Sequence, residues 1–355
     1  MPQPMYPDLP PIDNHYSGSS ISAWVDQTPQ TAHSNQLPQA GEDCAMIYDP
    51  VAHRIIIFGG KTDQDKNVNE IWQLDLESYQ WQQIDVNGQN PPPSEDHVVV
   101  YDPIGYRLIL HGGEDGLTRN FAWAFDLKTK QWKDITDESS PAQEDHTAIF
   151  DSRRKRIVTF GGFNSQMYNI WQMYALYLDS ASPAYQKWLT VKHRGNHPPG
   201  RIDHVAVYDS LKDRMVIFGG WDMERRDYFG DTWEFSFALG RWREIKTLHS
   251  HPAKRRHSVG VYDNMRNWLI IYGGYGEKGF LNDIWAFDLS SSTWINITPG
   301  PQPRIDHQAI FNPKTGNVLI YGGDALMPKK FHDLWELRVR KDIPFDLILE
   351  AAQKK

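Results

Sequence analysis

Six glycine pairs punctuate this chain, at Gly59-Gly60, Gly112-Gly113, Gly161-Gly162, Gly219-Gly220, Gly273-Gly274 and Gly322-Gly323. Each ends a short apolar run, and successive pairs stand 53, 49, 58, 54 and 49 residues apart. A recurring unit of this size points to a repeat architecture rather than to two or three unrelated domains. A tryptophan follows each pair 9 to 13 residues after the second glycine, at Trp72, Trp123, Trp171, Trp233, Trp285 and Trp335. A second tryptophan comes nine residues later at Trp81, Trp132, Trp242 and Trp294, and seventeen later at Trp188. Spacing tied to the repeat period places the tryptophans in the core between repeats. The eight extra residues of the third repeat fall in an enlarged connection within Gln172 to Lys187.

Each unit reads as four strands. In the fourth these are His204 to Tyr208, Arg214 to Phe218, Thr232 to Phe237 and Trp242 to Ile245, rich in β-branched and aromatic residues. Asp49-Pro50, Asp102-Pro103, Asp151-Ser152, Asp209-Ser210, Asp263-Asn264 and Asn312-Pro313 mark the first turn of each unit. There Asp or Asn caps the turn, and Pro, where present, presets φ at the next position. A four-stranded unit of about fifty residues cannot bury both faces alone, and closing six of them into a ring leaves no exposed sheet edge. The sixth unit lacks its last strand. The stretch Ser22-Ala23-Trp24-Val25-Asp26 is similar to Gln131-Trp132-Lys133-Asp134, so the N-terminal strand is expected to complete the last blade.

The apolar strand ending in Gly-Gly, with tryptophans about eleven and twenty residues on, resembles the Kelch repeat. Six copies run from Glu42 to Arg338. The resemblance implies an all-β, six-bladed propeller of four antiparallel strands per blade, spanning 21–340 with strand 22–28 closing blade six. An extension over 1–20 precedes it, and a tail over 341–355 carries a charge order that suits a helix. The family's basic residue three before a histidine survives as Arg201 and Arg304 and, with a one-residue shift, as Lys254 before His257. It is replaced by Gly41, Ser94 and Gln143 in repeats one to three. The resemblance also implies a non-catalytic interaction module, a scaffold or a substrate-recruiting part of a ubiquitin ligase. No BTB or F-box segment fits before the first blade. A small-molecule enzyme acting on a sugar, of the mutarotase type, is the alternative.

Composition narrows the partners. With 45 acidic against 37 basic side chains the formal charge is −8, which argues against nucleic acid. Apolar runs end after four to six residues, so neither a membrane-spanning helix nor a secretory leader is expected, and a single cysteine, Cys44, excludes an internal disulfide. These features suit the cytosol, with the nucleus also compatible. The glycine pairs lack phosphate-loop spacing. Cys44 stands at the repeat's histidine position, which does not suit a copper-radical oxidase. No cofactor and no metal are expected: in the pairs Asp96-His97, Asp145-His146, Asp203-His204 and Asp306-His307, alternation along a strand points the two side chains opposite ways, and each histidine should sit between blades.

In a propeller, the loops joining second to third strands and each outer strand to the next inner strand share one face. Repeats one and two contribute Asp63, Asp65, Glu95, Asp96, Glu114, Asp115, Glu144 and Asp145 to it. Later repeats contribute a basic and aromatic sector. Within that sector Arg194, Arg201, Trp221, Arg225, Arg226, Tyr228, Phe229, Arg255, Arg256, Arg304 and Lys330 are the expected binding residues, suited to a protein or peptide partner with an acidic or phosphorylated segment.

Overall fold

The computed structural model describes residues 22–29, 37–166, 168–247, 250–325 and 330–339; the extension over 1–20 and the tail over 341–355 lie outside them. Among the described residues there is no helix, and six four-stranded antiparallel sheets form. Blade 1 takes Ala45–Asp49, Arg54–Phe58, Ile71–Asp75 and Trp81–Gln83, from the inner strand outward. Blade 4, Val205–Asp209, Arg214–Phe218, Thr232–Ser236 and Arg241–Ile245, matches the strands read from the sequence to within a residue. Inner strands touch their neighbours in cyclic order, and that of the last blade, Gln308–Asn312, returns to the first. The chain is therefore a closed six-bladed propeller. Its closure is as expected: Ser22–Asp26 pairs antiparallel with Leu334–Val339, from Ser22 opposite Val339 to Asp26 opposite Trp335.

The glycine pairs stitch the ring. In every blade the second glycine's N–H donates to a carbonyl of the next blade: Gly60 to Ser94, Gly113 to Gln143, Gly162 to Arg201, Gly220 to Arg255, Gly274 to Arg304 and Gly323 to Gly41, at 2.6 to 3.2 Å. This approach leaves no room for a side chain. A Cβ on Gly112 would stand 2.2 Å from the Gln143 carbonyl, and both residues of that pair have φ in the left-handed region, at 67° and 95°. The turn aspartates act as expected and also reach back into the sheet. Asp49 Oδ1 accepts the Val51 N–H at 3.0 Å while its Oδ2 takes Arg54 Nε at 2.9 Å, and Asp102–Arg107, Asp151–Arg156 and Asp209–Arg214 repeat the ion pair.

The outer-strand tryptophans Trp81, Trp132, Trp188, Trp242 and Trp294 are buried between blades, as are Trp72 and Trp123; Trp233, Trp285 and Trp335 are half-buried. Trp171 departs from the expectation. Tyr174 fills the register of Trp233, opposite Thr159 where Trp233 stands opposite Ile217. Trp171 lies before the strand, 41% exposed, stacked on His197 at 4.6 Å. Counting forward from the glycine pair misassigns it because a tryptophan happens to stand three residues ahead of that register position: Tyr174 follows Gly162 by twelve residues, as Trp72 follows Gly60 and Trp335 follows Gly323. The enlarged connection of that blade falls between Met173–Tyr177 and Trp188–Thr190, as read.

Candidate interaction face around the central mouth

One position per blade, at or just before the start of the inner strand, surrounds the axis: Asp43, Asp96, Asp145, Asp203, His257 and Asp306. All six have φ of 52–54°, a conformation Asp tolerates better than most residues. The Asp43 N–H donates to the Asp306 carbonyl, Asp145 to Asp96, Asp203 to Asp145 and His257 to Asp203, at 3.1 to 3.3 Å. The six side chains line a cavity of about 260 Å³. The histidines that follow do stand between blades: His204 Nε2 meets Thr147 Oγ1 at 2.8 Å, and His97 and His307 pack edge-on against Phe58 and Tyr272. The carboxylates meet each other across repeats, a convergence that alternation within one strand does not reveal.

Within the ring one base serves five carboxylates, and Asp203, which it touches, is still raised by burial. His257 bridges two blades, with Nε2 3.2 Å from Asp203 and Nδ1 2.6 Å from Asp306. Burial alone would push this imidazole down, but the two carboxylates hold it up at about 9. Asp306 is lowered in turn: burial opposes its charge, and His257 outweighs burial. Burial first, and then mutual repulsion, raise Asp43, Asp96 and Asp145 well above the carboxylate range. Glu42, Asp43 and Asp306 form the one group among the described residues whose ligand atoms are close enough to share a metal ion. Lys330 Nζ already lies 2.7 Å from Glu42.

Outside the ring, the residue after each glycine pair pairs with the residue before each ring position. Blades 1 and 2 set Lys61 against Glu42 and Glu114 against Glu95, while blades 3 to 5 set Phe163 against Glu144, Trp221 against Ile202 and Tyr275 against Arg256. An aromatic run results. Trp221 packs on Tyr228 at 4.5 Å, Tyr228 faces Tyr275 at 6.4 Å, and Tyr275 meets Phe280 at 5.0 Å. Tyr275 and Phe280 are additions to the sequence reading. The available signal was that Tyr275 follows Gly274 as Trp221 follows Gly220.

The expected binding residues separate into three groups. Arg225, its side chain 76% exposed and 3.6 Å from Asp222, and the exposed Arg226 stand on the hairpin that carries Trp221 and Tyr228. Arg256 lies over the Trp221 ring and 3.7 Å from Asp203. Arg201, Arg255 and Arg304 are corrected to interior residues, none more than 1% exposed. Their guanidinium groups bond to the Gly219, Gly273 and Gly322 carbonyls and form two-bonded pairs with Asp231, Asp283 and Asp333 at 2.6 to 3.0 Å. Phe229 covers the Arg201 guanidinium at 4.0 Å. Burial would raise Asp231 and Asp283, yet the paired arginines hold both below the usual range. Two further residues leave the set for other reasons. Lys330 is committed to Glu42 and Asp65, both at 2.7 Å. Arg194 bridges Arg241 in the outer strand of blade 4, at the circumference.

Closed ring, glycine stitches and inward arginines together define a Kelch-type propeller. The Kelch-repeats domain of the KLHDC2/KLHL20/DRC7 type matches residues 23–182, 103–300 and 181–343, and the chain belongs to that family. It is 33% identical over 164 residues to the dynein alpha chain of the flagellar outer arm of Chlamydomonas reinhardtii, covering 42% of this chain and 4% of that one. Putative adagio-like protein 2 of Oryza sativa subsp. japonica is 27% identical over 297 residues, covering 77% and 37%. Kelch domain-containing protein 3 of Homo sapiens is 28% identical over 166 residues, covering 42% and 41%. Each match spans less than half of the relative's own length.

Proposed function

We propose that this chain is a protein-interaction module, a scaffold or recruiting subunit of the cytosol or nucleus, that docks an acidic or phosphorylated partner segment on the hairpins of blades 4 and 5. The observation that carries this reading is the aromatic run Trp221–Tyr228–Tyr275–Phe280 with the cations of Arg225 and Arg226 at its edge. Aromatic surface supplies desolvated anchors, and guanidinium groups give forked hydrogen bonds to carboxylate or phosphate. The buried arginines narrow the footprint to two blades.

The test is quantitative co-purification from native lysate with the wild type and with Arg225→Glu/Arg226→Glu. Partners held through this sector should fall at least tenfold in the variant, and their wild-type binding should weaken as salt rises. Undiminished recovery would remove the sector from consideration. Turnover of a sugar, with no protein recovered, would instead support the enzyme alternative.

A further inference from the structure

The face opposite the mouth carries apolar surface that partner docking on blades 4 and 5 leaves unused. Each inner strand begins at the mouth and ends on that opposite face, in the first turn of its blade. Four blades place an apolar side chain two residues after the capping aspartate of this turn: Val51, Ile104, Leu211 and Met265, 45% to 69% exposed. Their N–H groups donate to the aspartates at 2.9 to 3.0 Å, so the turn is fixed. One exposed apolar residue is ordinary, but the same turn position in four blades marks a surface. Cations accompany it. Blades 3 and 6 carry Arg153 and Lys314 at this position, and Arg153 Nη2 lies 3.0 and 3.3 Å from the Ser210 and Leu211 carbonyls. Lys212, next to Leu211, reaches the Leu289 carbonyl of blade 5 at 3.1 Å.

The chain leaves its last sheet on this same face. In blades 1 to 5 the third strand turns back into the fourth, but in blade 6 that place is taken by Ser22–Asp26. The exit point is pinned beside the apolar surface: Arg266, next to Met265, donates to the Val339 carbonyl at 2.9 Å and to the Gly316 carbonyl of the blade 6 turn at 3.2 Å. In the sequence that follows, Phe345, Ile348, Leu349 and Ala352 recur at the spacing of one helix face, Asp346 and Glu350 run alongside it, and Pro344 stands where a helix would start. We propose that the segment from Ile343 to Ala352 folds back onto this face, packing Phe345, Ile348 and Leu349 on Met265 and Leu211 with Asp346 and Glu350 toward Lys212 and Arg153. Reach permits it: residues 340–344, extended, cover up to about 17 Å, and 345–352 as a helix cover about 12 Å. The tail then closes this face to other chains and leaves the mouth face open for a partner.

The test places a nitroxide on the full chain at Gln353→Cys; the one native thiol, Cys44, is buried and stays unlabelled. Two methionine methyl groups report by NMR, Met265 on the proposed surface and Met223 on the blade 4 hairpin of the mouth face. The nitroxide should broaden away the Met265 signal and leave that of Met223. Adding Phe345→Asp/Leu349→Asp should restore Met265, with the Met223 shift unchanged as the control that the ring remains folded. An unaffected Met265, loss of Met223 in its place, or broadening that survives the double substitution would overturn the proposal. Mixing spin-labelled protein at natural abundance with isotope-labelled protein that carries no nitroxide should leave Met265 sharp. Broadening in that mixture would give the surface to the tail of a second copy and overturn the intramolecular docking.

Discussion

Blades 4 to 6 and blades 1 to 3 share one repeat but hold their inner ends together differently. In the first group a buried arginine is clamped on its own blade's glycine carbonyl and aspartate. In the second the same position carries Gly41, Ser94 and Gln143. Gln143 makes a partial substitute: its amide donates to the Gly161 carbonyl at 3.0 Å and accepts from Thr159 Oγ1 at 2.9 Å. Gly41 leaves space for Lys330, whose Cβ lies 2.6 Å from where a side chain would begin. The pinned half thus spends its positive charge on structure, and the unpinned half keeps carboxylates without counter-ions. One repeat pattern can therefore encode two ways of holding a blade's inner end within a single ring.

The largest effect should come from the joint where the pinned arc ends. Deleting residues 1–30 removes Ser22–Asp26 from blade 6, and the Arg304–Asp333 pin cannot replace a strand. The melting temperature should fall by more than about 10 °C, corresponding to several kcal/mol; an unchanged transition would show that the arc stands without closure. Next, Arg255→Ala leaves the Asp283 carboxylate without its partner and should cost about 3–5 kcal/mol in chemical denaturation. Gln143→Ala, which loses neutral hydrogen bonds only, should cost about 1–3 kcal/mol. Equal losses would break the contrast between the arcs.

A smaller term separates the arcs by pH. His257 titrates higher in the folded chain, at about 9, than in the unfolded one, so its stabilisation is complete below about pH 6.5 and is lost as pH rises through 9. For Asp43, Asp96 and Asp145, also raised, the folded state holds protons that the unfolded state has released. Their contribution therefore improves as pH falls through their raised folded-state values toward the ordinary carboxylate range. Melting curves from pH 6 to 10 should show the His257 loss in the wild type and not in His257→Asn. The smallest effect belongs to Arg225→Glu/Arg226→Glu, expected within about 0.5 kcal/mol of wild-type stability because both side chains stand in solvent.

Much of the ring was legible because it depends on glycine. Only glycine fits the stitch between blades, so the pairs mark the period and the tryptophans follow. The closing strand was legible from a missing tryptophan at one end and a matching segment at the other. The pins were not, since a loop arginine carries no mark of whether it turns inward. The mark lies 28 to 30 residues on, in Asp231-Thr232-Trp233, Asp283-Ile284-Trp285 and Asp333-Leu334-Trp335, the aspartates that receive Arg201, Arg255 and Arg304. The acidic ring was hidden for a different reason. Its members lie about fifty residues apart, and a left-handed residue at the start of each inner strand interrupts the alternation from which facing was inferred.

The register of the closing strand also fixes how the molecule bears load. Ser22 stands opposite Val339 at one end of the pair, and Asp26 stands opposite Trp335 at the other. Tension applied through the preceding and following chain enters at Ser22 and Val339 together, so it peels the ladder one hydrogen bond at a time instead of shearing all of them at once. The propeller would open first at blade 6, at low force, while the five blades whose strands are consecutive in sequence remain folded.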